Sequence, residues 1–146
     1  TRSMQLTDFF ELDGMTRNKL RPGELVTHLT IPKDSAQWQG DYQKLRQRES
    51  WDFPEAGVAV MWKRSGANPP NDIRVATTGL ESIPGFHQSQ AQHALEDWNG
   101  KESIETLSEA LRKAIKPVNN TGLKPNYRRK MVKVLARRCL NQILHK

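Results

Sequence analysis

Between Gly79 and Ala91 the apolar repeat of this chain changes from two residues to about 3.6, and it does not change back. Upstream, Val58, Val60 and Trp62 alternate with Ala59 and Met61, and residues 72–79 repeat the alternation. Downstream, Ala91, Ala94, Leu95 and Trp98 recur at helical spacing, then Ile104, Leu107, Leu111, Ala114 and Ile115, then a longer stripe from Met131 to Ile143. Strands grouped before helices argue against an alternating α/β fold. The pattern predicts an α+β domain: an antiparallel sheet of about four strands packed against a C-terminal three-helix layer. A chain of 146 residues suits one such domain.

The four expected strands cover residues 25–31, 42–48, 57–63 and 72–79. The first follows a turn signal, Arg21-Pro22-Gly23-Glu24, and stops at Pro32. Residues 4–10 read as an entering segment before the turn pair Asp13-Gly14, and residues 66–70 as a loop. Asn99-Gly100 ends the first helix. The second carries Glu102 and Glu105 near its start and Arg112, Lys113 and Lys116 near its end, which suits the helix dipole, and Pro117 stops it. The last begins after Gly122 with Pro125 in its first turn; Cys139 lies on its apolar stripe and reads as a buried, inert thiol.

One cysteine excludes an intrachain disulfide and any multi-cysteine metal site, and suits a reducing compartment, so a cytoplasmic location is expected. No apolar run approaches the ~18 residues of a membrane span, and no charged-then-apolar leader opens the sequence. His28, His87, His93 and His145 lack ligand spacing, and phosphate-loop, zinc-protease and nucleophile-elbow patterns are absent. The net charge of +7 suits an acidic partner. One alternative function is therefore a basic nucleic-acid-binding module, with Arg128, Arg129, Lys130, Lys133, Arg137 and Arg138 of the last helix facing phosphate. The 23 basic residues are interleaved with 16 acidic ones, and no recognition motif is present, so nucleic acid is the weaker reading.

Tyr42, Lys44, Arg46 and Arg48 share one side of an extended chain. Such a cationic strand either guards a sheet edge against foreign pairing or presents charge to a ligand. Arg48 and Asp52, four apart, read as an ion pair holding the loop that follows.

The order of motifs resembles the C-terminal domain of the FAD-binding subunit of molybdenum hydroxylases of the xanthine dehydrogenase and carbon monoxide dehydrogenase type. The likeness rests on residues 20–32, Leu20-Arg-Pro-Gly-Glu through Ile31-Pro32; on Tyr42, Lys44, Arg48 and Asp52 at their spacing; on Val58-Ala59-Val60; on Gly79 before Pro84; and on Tyr127-Arg128-Arg129 with Arg137-Arg138 in the last helix. It implies residues 1–19 entering from an upstream FAD-binding region and residues 20–146 forming the flavoprotein C-terminal domain. It implies FAD as cofactor, touched here by Lys44 and Val26, with most flavin contacts lying upstream. Iron–sulfur clusters and molybdenum cofactor would sit on partner subunits or domains. No catalytic or metal-ligating residue is expected here, so the chain would be inactive alone, as one part of a larger oxidoreductase.

Overall fold

The computed structural model describes residues 1–13, 15–49, 51–63, 72–119 and 122–144. A short helix α1 (Leu6–Phe9) and a 3-10 turn (Lys33–Gln37) precede β1 (Trp38–Leu45), β2 (Ala56–Lys63), β3 (Asp72–Thr78) and the two-residue β4 (Gly85–Phe86). Helices α2 (Gln88–Glu96), α3 (Lys101–Ala114) and α4 (Pro125–Leu144) follow. The strands form one antiparallel sheet in the order β1-β2-β3-β4. Val60 faces Val75, Tyr42 faces Ala59 and Lys44 faces Gly57.

Alternation puts Val58, Val60, Trp62, Ile73, Val75 and Thr77 on one face, and all six are buried. The helices cover that face: α4 packs on β1 and β2, α2 on β3, and α3 against both other helices. Ile104, Leu107 and Leu111 of α3 and Val132, Leu135, Cys139, Leu140 and Ile143 of α4 complete the core. Each such side chain contributes about 1.5–3 kcal/mol on burial. Trp98, just beyond α2, meets Trp62 edge to face at 5.9 Å. The start of α3 is fixed by a reciprocal pair: the Asn99 side-chain oxygen accepts the Ser103 backbone N–H at 3.0 Å, and Ser103 Oγ accepts that of Asn99 at 2.9 Å. Glu105 and Glu109 of α3 then meet Lys133 of α4 at 2.5 and 3.3 Å.

The expected sheet-and-helix-layer architecture is present, with differences. Residues 25–31 form no strand; Leu25, Val26, Leu29 and Ile31 are exposed, and among the described residues no strand lies alongside to complete their backbone hydrogen bonds. Alternation prepares one face for burial but supplies no partner. The fourth strand is instead Gly85–Phe86, too short to carry a period. The basic strand runs earlier than residues 42–48, from Trp38 to Leu45, so Arg46 and Arg48 lie in the loop beyond it. The expected loop at residues 66–70, Gly14 and His145 lie outside the described residues.

Arg128, expected on a solvent-facing stripe of the last helix, is fully buried. Its Nε donates to the Glu55 carbonyl at 2.7 Å, Nη1 to the Val118 carbonyl at 2.7 Å and Nη2 to the Gly79 carbonyl. The Glu55 carboxylate lies 3.8 Å away and balances the charge. One guanidinium thus joins the entry to β2, the turn after β3 and the α3–α4 connection. Gly79 has φ +70°, and a Cβ there would run into the Pro54 carbonyl, so the turn under Arg128 admits only glycine.

Replacing Arg128 by Met keeps the bulk but leaves three carbonyls without their donor and Glu55 without its counter-charge. A loss of about 3–5 kcal/mol is expected in urea denaturation; a loss below about 1 kcal/mol would contradict the role given to this residue. Cys139 is buried, and burial, aided by the nearby Asp41, pushes its thiol up to about 12. Thiol reagents should label it slowly in the native protein and rapidly in denaturant; equal rates would place α4 outside the core.

Candidate functional site

The second face of the sheet carries Trp38, Gly40, Tyr42 and Lys44 of β1, Gly57, Ala59, Met61 and Lys63 of β2, Arg74, Ala76 and Thr78 of β3, and Phe86 of β4. No described helix packs on it. Small residues let the large ones lie flat. A Cβ on Gly57 would meet Thr78 Oγ1 at 2.5 Å and the Tyr42 hydroxyl at 2.7 Å, and one on Gly40 would meet Met61 Cγ at 3.2 Å. Arg74 stacks over the Trp38 ring at 4.2 Å. The result is a smooth, half-apolar surface with cations set into it.

At one end of this surface, Lys44 Nζ donates to the Asp52 backbone carbonyl at 3.0 Å. The expected Arg48–Asp52 pair is present at 2.9 Å. The Asp52 carboxylate also accepts the backbone N–H groups of Gln47 at 3.2 Å, Arg48 at 2.9 Å and Phe53 at 3.0 Å. Hydrogen bonds from the Arg48 side chain and backbone hold its carboxyl well below the usual carboxylate range. The Asp52 side chain is only 13% exposed, against 71% for Arg48, so this carboxylate works mainly as the internal brace of the loop. A shallow concavity of about 380 Å³ opens beside it, lined by Gln47, Arg48, Asp52, Phe53, Pro54 and Glu55.

Lys44 and Val26 differ in setting. Lys44 is half-buried on the sheet, whereas Val26 is half exposed in the extended stretch outside it, and no described backbone hydrogen bond ties residues 25–31 to β1. Among the described residues, no group of His, Cys, Asp and Glu is placed to hold a metal, and no helix is long and apolar enough to cross a membrane.

Residues 41–143 match the family described as the CO dehydrogenase flavoprotein C-terminal domain. The chain belongs to that family. Solved structures with the same fold include reconstituted CO dehydrogenase from Oligotropha carboxidovorans, 22% identical with a TM-score of 0.77 over 93% of this chain and 46% of the matched one. Quinoline 2-oxidoreductase from Pseudomonas putida 86 is 16% identical, with a TM-score of 0.81 over 99% and 48%. CO dehydrogenase from Hydrogenophaga pseudoflava, in a form lacking the Mo-pyranopterin moiety, is 24% identical, with a TM-score of 0.66 over 75% and 38%. The chain therefore spans about half the length or less of the chains it matches.

Tyr42, Gly57 and Lys44 lie together on the uncovered second face of the sheet. Sequence reasoning missed two polar residues. Arg128 was hidden among other basic residues of a helix. His87 was hidden because its partner is ten residues away: Nε2 lies 2.8 Å from Thr77 Oγ1, while its backbone N–H donates to the Val75 carbonyl.

Burial depresses the His87 pKa, with Glu81 opposing the shift. The folded state therefore resists protonation of His87 more than the unfolded state does. Its contribution to stability is present above the ordinary histidine range near 6.5 and is lost as pH falls below it. Urea midpoints from pH 7.5 to 5 should fall for the wild type and fall less for His87→Asn. Parallel curves would remove His87 as the titrating group.

Proposed function

We propose that this chain is the C-terminal domain of the FAD-binding component of a molybdenum-containing hydroxylase or dehydrogenase, of the broad class that includes xanthine dehydrogenase, acting in the cytoplasm. It closes one side of the FAD site and docks partner subunits or domains that carry iron–sulfur clusters and molybdenum cofactor. Residues 1–19 enter from an upstream FAD-binding region, residues 20–146 form the domain, and Lys44 and Val26 contact the flavin. Bound FAD supplies the redox chemistry, taking electrons from iron–sulfur clusters and passing them to an acceptor. This chain's own residues bind and orient, and by itself it catalyses nothing.

The observation that carries this reading is the uncovered second face of the sheet. Its glycines and alanines, Tyr42 lying over Gly57, and Lys44 form a surface suited to contact with a planar ring and a second protein layer. The exposed, strand-patterned residues 25–31 support it as well, since they lack a pairing partner among the described residues. The nucleic-acid alternative loses its main feature: Arg128 is buried, Lys133 is paired with Glu105 and Glu109, and Arg137 lies 3.9 Å from Glu105.

The test replaces Lys44 by Met in the full-length flavoprotein, removing the cation while keeping most of the stem. Arg46→Met, one residue beyond β1, is the control. Loss of a charge-assisted contact of about 1.5–3 kcal/mol should weaken FAD binding roughly 10- to 150-fold or shift the flavin potential. The control should change neither. Equal FAD content and potential in all three proteins would reduce Lys44 to a brace for the Asp52 loop.

A further inference from the structure

The connection between β3 and α2, residues 79–87, is held in two unlike ways. Its first half is fastened to the core. Buried Arg128 grips the Gly79 carbonyl, the Val118 N–H donates to the Leu80 carbonyl at 2.8 Å, Glu81 Oε1 accepts the Lys116 N–H at 2.6 Å, and Leu80 is buried. Its second half rests on the two-residue strand β4, which pairs Phe86 with Ala76 and Gly85 with Thr77, and Phe86 is 54% exposed. So short a ladder, with so little apolar burial, does not hold a strand by itself.

His87 supplies what the ladder lacks. Its backbone N–H donates to the Val75 carbonyl at 2.9 Å, and its carbonyl accepts the Ala91 N–H at 3.1 Å in the first turn of α2. Its ring folds back over β4, with Nε2 2.8 Å from Thr77 Oγ1. Gly85 makes room for that ring: a Cβ there would lie 2.9 Å from His87 Nε2 and 2.7 Å from Thr77 Oγ1. Thr77 is buried, so the imidazole sits on a hydroxyl shielded from water and is itself half-buried. Charged groups stand on every element nearby. β3 carries Asp72 and Arg74, 3.9 Å from each other; α2 carries His93 and Glu96, an exposed pair at 3.1 Å; and Lys116, after α3, is exposed. Among the described residues Glu81 is the one whose charge acts on the His87 ring. An imidazolium there has one partial counter-charge to set against the hydration it gives up.

We propose that His87 is a pH-sensitive clasp: its neutral ring fastens β4 and the first turn of α2 to β3, and its protonation releases residues 82–88 while the Arg128-held half of the connection stays in place. Release bares the outer edge of β3 from Val75 to Thr77, whose backbone groups then face solvent. Burial lowers the pKa of the closed ring, and lifting β4 returns the ring to water and to its ordinary value near 6.5. Closure is therefore favoured above that value and is lost as pH falls below it. For one group, opening gains at most about tenfold between pH 7.5 and 5.5.

The experiment is hydrogen–deuterium exchange of the full-length protein at pH 7.5 and 5.5, with each rate divided by its intrinsic value so that opening alone is compared. Peptides covering residues 82–88 should lose protection about 3- to 10-fold at pH 5.5. The Val118 amide, bonded to Leu80 in the fastened half, should keep its protection. His87→Gln, which keeps a polar side chain but takes up no proton, should show no acid-dependent loss. Thr77→Val, which removes the hydroxyl at nearly constant volume, should lower protection of residues 82–88 already at pH 7.5. Unchanged protection of those peptides in the wild type overturns the clasp, as does an equal loss in His87→Gln or no effect of Thr77→Val. A loss shared by residues 82–88 and Val118 shows acid acting on the whole fold, and it overturns the clasp as well.

Discussion

A buried guanidinium is costly, several kcal/mol before any compensation, and Arg128 is fully buried. The cost is offset because carbonyls of Glu55, Gly79 and Val118 meet its N–H groups and a carboxylate stands near. Those carbonyls come from the loop before β2, the turn after β3 and the segment before α4. The position of each is consequently set by the others. The β1–β2 loop inherits this constraint through Glu55, and so do the residues it presents.

The division of labour between the two faces of the sheet follows from composition at alternate positions. Valine, isoleucine and tryptophan on one face require the helices; glycines on the other leave room for Tyr42 over Gly57 and Met61 over Gly40. β1 departs from this rule, with Gln39, Asp41 and Gln43 on the helix-facing side. Gln43 Nε2 donates to Asp41 Oδ2 at 2.9 Å, so the edge keeps its polarity where α4 covers it only in part.

The parts of this fold legible in the sequence are those whose cause is local. Ile104, Leu107 and Leu111 specify a helical face by spacing alone, and Asn99-Gly100 and Pro117 bound it. Val58, Val60 and Trp62 specify a buried strand face. Residues 25–31 have an equally clear alternation and form no strand, since pairing depends on a neighbour and not on the segment itself. β4 escaped notice because two residues have no period. At the candidate site the sequence showed the Arg48–Asp52 pair, four residues apart. It did not show that Asp52 braces a whole loop, or that Arg128 differs from Arg129 and Lys130 beside it. Those facts depend on contacts across as many as 73 positions.

Residues 25–31 have a consequence for the life of the chain before it is fully assembled. They read Leu-Val-Thr-His-Leu-Thr-Ile: seven residues without a charged side chain, glycine or proline, and rich in β-branched types. Segments of that composition stack readily with copies of themselves when left uncovered. Pro32 and the Arg21-Pro22-Gly23 turn stand at its ends as gatekeepers, but they do not interrupt it. Covering this stretch early therefore limits self-association at high local concentration, and so bears on yield as much as the stability of the finished fold does.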